Sequence, residues 1–250
     1  MPAGPALVCR ALEPYASHLF TTRAWRLGTA VADEREAGWR EVANALEVDA
    51  SHLARAHQVH GAAVVVRRRG DALAASEPLP DADILVSNDP SIALAVQTAD
   101  CVPLLLADRR TRVVAAAHAG WRGLAAGVPG VAVRALHDEL GANPDDLIVA
   151  LGPSISAENY EVDAVVRSAF VAAGATDAQL ARWFLPGRRP DRWQFDGWRA
   201  GADQLEAAGV RRANIHVAGL CTSAHPQLCS YRRDGKGAGR IAGAIRARSI

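Results

Sequence analysis

An α/β fold with a mixed sheet and flanking helices is what this 250-residue sequence predicts, on three observations. Short apolar runs of strand length recur along the chain, several apolar at every position, as in strands covered on both faces. Between them lie segments with apolar residues at helical spacing, two of them closed by a glycine that can take a left-handed conformation. Strands and helices follow one another without a strict βαβ rhythm, which points to one α/β domain with a mixed sheet. No repeat, low-complexity tract or long linker divides the chain, so residues 1–250 read as one domain.

The first helical pattern is Glu34–Leu46. Strand-like runs follow at Ala62–Arg67, Ile84–Ser87, Ile92–Gln97, Val102–Ala107 and Val113–Ala117. A second helical pattern, Leu124–Leu140, stops before Gly141, and Leu147–Leu151 is again a continuous apolar run. Helical patterns return at Asp163–Ala173 and at Gly197–Ala208, which stops before Gly209. Between them Pro186–Arg192 reads as an exposed loop on its proline and glycine content, and Ile215–Ala218 is the last strand-like run.

With 50% hydrophobic and 22% charged residues the composition is that of a globular protein. A formal charge of +1 gives no reason to expect a nucleic acid or an acidic membrane as partner. No run approaches the roughly 18 apolar residues of a membrane span; Val113–Ala119 is far too short. Met1–Val8 carries no basic segment followed by a long apolar one, so the expected setting is cytoplasmic. Cys9, Cys101, Cys221 and Cys229 lack CxxC spacing and disulfide-scaffold density, which agrees with reduced thiols. Lys236 is the single lysine among 28 basic residues. An alanine- and arginine-favouring genome accounts for that bias, although guanidinium groups beside a pocket suit bidentate binding of phosphate or carboxylate.

Three stretches hold residues that composition does not demand. In HQVHG (57–61), leading into a strand, an extended chain would point His57 and His60 to opposite faces, and His60 beside Gly61 is the better placed of the two. In QTADCVP (97–103) Cys101 lies at the junction of two apolar runs, and in AHAGWRG (117–123) His118 ends a strand where a helix begins. Gly120 and Gly123 at that helix start offer backbone N–H groups to an anion, with Arg122 alongside. A cysteine and two histidines at strand ends can form a three-ligand metal site whose open fourth position is the catalytic pattern for zinc. From spacing alone, a buried structural Cys101 and a capping His118 are the better reading of these residues.

HQVHG, ADILVS, LAVQTADCVPLLLAD, VVAAAHAGWRGLAAGV, LGPSISAENYEV and LCTSAHPQLCSYRRDG…GR together resemble the YfiH/laccase-domain family, from about His18 to Ile245. Its members, first labelled polyphenol oxidases, are described as purine nucleoside phosphorylases with adenosine deaminase side activity. The resemblance implies a cysteine-hydrolase-like mixed α/β fold and one zinc held by His60, Cys101 and His118. It implies catalytic roles for Cys101, His118 and Arg122. Arg23, Gln58, Asn159, Arg232, Arg233 and Arg240 become candidates for binding nucleoside or phosphate. Salt bridging explains the arginines equally well, and a helix cap explains Asn159 and Glu161 nearly as well. Purine nucleoside and phosphate are the implied ligands, for a monomer or homodimer.

Alternatives from other classes stay open. Some relatives are described as amidases that edit peptidoglycan precursors, a reaction open either to zinc-bound water or to Cys101 with His118 as base. A His₂Cys set also suits copper, but multicopper oxidases use His-x-His pairs, and the eight histidines here form none. The deaminase signature H-x-E…P-C-x-x-C is absent as well, leaving a general acid unassigned. Cys221 and His225 lack further ligands nearby and read as core, and Gly235–Gly239 reads as a turn rather than a phosphate loop. Where relatives carry a Gly-Gly-Val-Ser loop after the arginine, Arg23 runs almost directly into Ala24–Gly28, and Arg26 stands in place of an asparagine. That change implies altered substrate recognition, in favour of a more anionic ligand.

Overall fold

A computed structural model describes residues 4–71 and 78–248. The elements run β1 (Ala6–Leu7), β2 (Ala16–Thr21), α1 (Ala32–Ala45), β3 (Leu53–Ala54), β4 (Val64–Arg67), β5 (Ile84–Ser87), β6 (Ala93–Thr98), β7 (Val102–Asp108) and β8 (Val114–Ala119). They continue with α2 (Trp121–Ala125), α3 (Val128–Leu140), β9 (Leu147–Leu151), β10 (Glu161–Val162), α4 (Ala164–Ala172), α5 (Asp177–Trp183) and β11 (Phe184–Pro186). Last come β12 (Trp193–Phe195), α6 (Gly197–Ala207), β13 (Ile215–Val217), α7 (Tyr231–Asp234) and β14 (Ile241–Ala247).

The fold is mixed α/β as expected, with its strands divided among three sheets. A five-stranded mixed sheet has the order β1-β2-β14-β6-β3, a six-stranded mixed sheet the order β13-β9-β7-β8-β5-β4, and β10-β12-β11 form a small antiparallel sheet. The continuous apolar runs explain the division, because alternate residues feed two different cores. Along β7, Leu105 and Ala107 pack with Phe20, Leu94, Val96 and Ile245 of the five-stranded sheet. Leu104 and Leu106 pack on the opposite face with Val133 and Leu136 of α3 and Leu205 of α6. The outer face of the five-stranded sheet is covered by Trp39, Val42 and Ala43 of α1. The layers are therefore helix, sheet, sheet, helices.

Ile84–Ser87 and Leu147–Leu151 coincide with the expected strands. The expected helix Leu124–Leu140 is instead two, because Gly127 takes a left-handed φ of 75° and Pro129 opens the next helix. Gly141, also left-handed, ends α3 as expected. Asp163 caps α4 by accepting from the N–H of Val165, and Asp196 caps α6 through the N–H of Arg199. No helix of the described residues is long and apolar enough to cross a membrane.

Candidate metal centre and cavity

The stretch that leads to β4 is not extended, so the expected alternation of His57 and His60 does not apply. It is wrapped around the buried carboxylate of Asp83, which accepts the successive N–H groups of Val59, His60 and Gly61 at 3.2, 3.2 and 2.7 Å. His60 is thereby held at a left-handed φ of 61°. His57 lies on the surface, paired with Asp81 at 2.7 Å. The same Asp83 carboxylate accepts from Nδ1 of the buried His118 at 2.8 Å. Burial alone would push Asp83 up, but these hydrogen bonds hold its carboxyl below the ordinary value.

Cys101 sits in the turn that carries the chain from β6 in one sheet to β7 in the other, with its carbonyl accepting from Thr98 Oγ1 at 2.6 Å. His118 lies near the end of the adjacent strand β8. The donor atoms of His60, Cys101 and His118 all lie within 4.8 Å of one another, the one group of three such donors among the described residues. Burial would raise the Cys101 thiol, but the neighbouring His118 charge and hydrogen bonds from both histidines outweigh it and favour thiolate. Burial would likewise lower His118, whereas the Cys101 charge and the Asp83 hydrogen bond raise it.

The residues fit a metal ion. Donors sharing one tetrahedral zinc stand about 3.3–3.8 Å apart, given metal–ligand lengths of about 2.0–2.3 Å, so a contraction of about 1.5 Å at most closes the site. The Asp83 contact occupies Nδ1 of His118 and leaves Nε2 for the ion, the usual carboxylate–histidine–metal arrangement. Gly120 keeps space beside the donors: a Cβ there would lie 2.9 Å from Cys101 Sγ and 3.1 Å from His60 Cδ2. Asp83→Asn is expected to lower metal affinity about 10–100-fold, the usual effect of losing such an outer partner. Competition against a chromogenic chelator measures it, and unchanged affinity would exclude this role for Asp83.

The cluster lies in the wall of a cavity of about 550 Å³ whose other walls include Trp121, Tyr160, Phe195, Tyr231 and three arginines, Arg122, Arg232 and Arg240. Arg122 stacks over Trp121 at 4.1 Å and has no protein acceptor among the described residues. Arg232 lies over Tyr160 at 5.0 Å and donates to the Glu161 carbonyl at 3.1 Å. Arg240 donates to the carbonyls of Ala238 and Gly239, each at 3.0 Å. Gln58 is a wall residue whose amide bonds in both directions to the Gln97 backbone, each at 2.8 Å, stitching the His60 loop to β6.

Arg233, Arg23, Asn159 and Arg26 lie outside that wall. Arg233 spends its donors on the carbonyls of Thr222, Ser223, His225 and Leu228 and on Asp234, and so braces its own loop. Arg23 pairs with the same Asp234. Asn159 donates to Ser156 Oγ at 3.1 Å and towards Cys221 Sγ at 3.4 Å. The Gly120 helix start belongs to a helix of five residues, with Gly123 buried against Val128. Arg26 pairs with Glu34 at 2.8 Å and is 66% exposed, so its charge serves a surface ion pair rather than an anionic ligand. The shortened Arg23–Gly28 connection acts through packing, since a Cβ on Gly28 would lie 2.3 Å from the backbone nitrogen of Arg240.

Asp83 and Asp100 are residues that the reading of the sequence missed. Asp83 stands in the quoted ADILVS motif, where an acid before a strand looks like an ordinary turn residue. Its role becomes visible only when His118 and the 59–61 loop meet on it.

Comparison with known proteins agrees with this architecture. A family model described as multi-copper polyphenol oxidoreductase laccase matches residues 19–248. A purine nucleoside phosphorylase of Pseudomonas aeruginosa is 42% identical over 189 residues, 75% of this chain and 71% of that one. A purine nucleoside phosphorylase of Deinococcus radiodurans is 37% identical over 236 residues, 90% of this chain and 86% of that one. The crystal structure of the hypothetical protein YfiH from Bacillus licheniformis aligns with a TM-score of 0.89 at 26% identity, over 99% of this chain and 97% of that one.

Proposed function

This chain belongs to the family described as multi-copper polyphenol oxidoreductase laccase, and from that premise we propose that it is a zinc-dependent purine nucleoside phosphorylase. The observation that carries the reading is the meeting of a His₂Cys donor set with an acceptor-free Arg122 in one aromatic-walled cavity. Its volume of about 550 Å³ lies in the usual range for small-molecule sites. Trp121, Tyr160, Phe195 and Tyr231 make the wall aromatic, and the exposed Tyr231 offers a flat face to a purine. Burial, and after it the Cys101 charge, pushes the Tyr160 phenol up, so it remains protonated and able to donate to the base.

Breaking the N-glycosidic bond develops positive charge on the ribose, and a phosphate held against the anomeric carbon both stabilises that charge and attacks it. Arg122 holds the phosphate, assisted by the free nitrogens of Arg232 and Arg240. A zinc ion on His60, Cys101 and His118 supplies Lewis acidity when bound. One donor cluster among the described residues supports a single-metal centre over a multicopper one. Cys9, Cys101, Cys221 and Cys229 are all unpaired, which suits a reducing cytoplasm.

Incubating the purified protein with adenosine or inosine, with and without phosphate, tests the reading. Free base and ribose 1-phosphate should appear together and only with phosphate; release that ignores phosphate would overturn it. Formation of inosine from adenosine in the same assay reads a deaminase side activity. Arg122→Ala should raise the phosphate KM roughly tenfold or more, since a charge-assisted hydrogen bond contributes about 1.5–3 kcal/mol. An unchanged KM would pass the role to Arg232 or Arg240.

A second reading rests on the same ionised Cys101–His118 pair: cleavage of an amide, with the thiolate as nucleophile and the imidazole as acid and base. A sulfur that holds zinc is not a free nucleophile. Stoichiometric metal together with phosphorolysis therefore rejects this reading.

A further inference from the structure

Asp100 precedes Cys101 and holds a left-handed φ of 88°, a conformation that favours glycine. It stays there through contacts with three separate segments. Its Oδ1 accepts from Thr222 Oγ1 at 2.5 Å and its Oδ2 from the Arg232 N–H at 2.6 Å. Its carbonyl accepts the Ile155 N–H at 3.0 Å. Arg232 begins, with Tyr231, the short helix α7, and both residues face the cavity. That helix touches the cluster's own strands through no ladder hydrogen bond, because its segment lies outside both large sheets.

We propose that Asp100 is a positioning residue. It ties the Thr222–Arg232 segment to the turn that carries the Cys101 donor, and so sets the distance between the Arg232 guanidinium and the metal cluster. The inference rests on the phosphorolysis reading, in which phosphate must reach both. Both carboxylate oxygens are occupied by donors, so Asp100 can stand in the wall of an anion site without presenting a free acceptor to the anion. Asparagine tolerates the same backbone conformation, and it preserves both contacts if its oxygen takes the Arg232 N–H and its amide donates to Thr222 Oγ1.

Glycine separates the proposal from a purely local role. Asp100→Gly removes the backbone strain together with both tethers. If Asp100 only shaped the turn, that variant would match or exceed the wild type in stability and phosphate handling. Positioning predicts roughly a tenfold rise in phosphate KM for Asp100→Gly and Asp100→Ala, a smaller change in kcat at saturating phosphate, and metal content equal to wild type. Asp100→Asn should stay within about threefold of the wild-type KM, as expected when both contacts survive. Calorimetric titration with inorganic phosphate keeps the test independent of turnover. A wild type that shows no phosphate-dependent cleavage overturns the proposed function, while phosphate affinity lost in Asp100→Gly and kept in Asp100→Asn still supports the tether. Equal phosphate affinity in the wild type and Asp100→Gly overturns it, as does a wild type that binds no phosphate.

Discussion

Cys101→Ala is expected to abolish stoichiometric metal binding. The purified wild type should carry about one zinc per chain, held by three protein donors of which the thiolate is the only anion. The two imidazoles that remain bring no charge to offset the ion. The decrease in affinity should exceed the roughly 10–100-fold typical of losing an outer partner. His118→Ala should behave alike, because it removes a donor and leaves the buried Asp83 carboxylate without its imidazole partner. Cys221→Ala is the control: that thiol accepts from Ser156 and Asn159 and lies outside the donor group. Elemental analysis of the three variants decides. Full metal retained in both Cys101→Ala and His118→Ala would remove this site from consideration.

Gly120→Ala should weaken the same centre without touching a ligand. The backbone at Gly120 has φ of −73° and ψ of 177°, which any residue adopts, so no conformational need explains a glycine. The added methyl would meet Cys101 Sγ and His60 Cδ2, both nearer than ordinary contact. Overpacking of this kind costs about 1–3 kcal/mol, which is roughly 5- to 150-fold in affinity if the ligands take up the strain. Competition with a chelator measures the loss. Wild-type affinity in this variant would show that the donors can shift aside and that the space is not required.

What the sequence makes legible here follows from how local each signal is. Ile84–Ser87 and Leu147–Leu151 are readable because every residue except the closing Ser87 is apolar and the flanking residues are polar or glycine. β14 escapes notice because Gly243 and Arg246 interrupt its pattern, although Gly243 accommodates Phe20 and Arg246 reaches the carbonyls of Pro90 and Leu46. Gly127 and Pro129 do announce a break, but helical spacing continues across them and masks it. At the site, the motifs bring His60, Cys101 and His118 together on one list, and the structure brings them together in space. Neighbouring arginines are another matter. Arg232 and Arg233 are equivalent as letters, and only the fold of the 221–234 segment turns one to the cavity and consumes the donors of the other. Asp83 and Asp100 belong to the same class, since each acts by receiving donors from segments far away along the chain.

The place of β14 has a consequence for how the protein is made. This strand lies between β2 and β6, pairing antiparallel with both. His60, His118 and Cys101 leave the ribosome long before residues 241–247 do, yet β6, which ends at the Cys101 turn, has no neighbour on that side until β14 arrives. Pairings this distant in sequence form late. A nascent chain halted before Ile241 would hold all three donors and still lack the sheet that orients one of them. Loading of the ion is thus expected after synthesis of this segment, and a ribosome-stalled fragment should take up zinc poorly until the final strand is supplied.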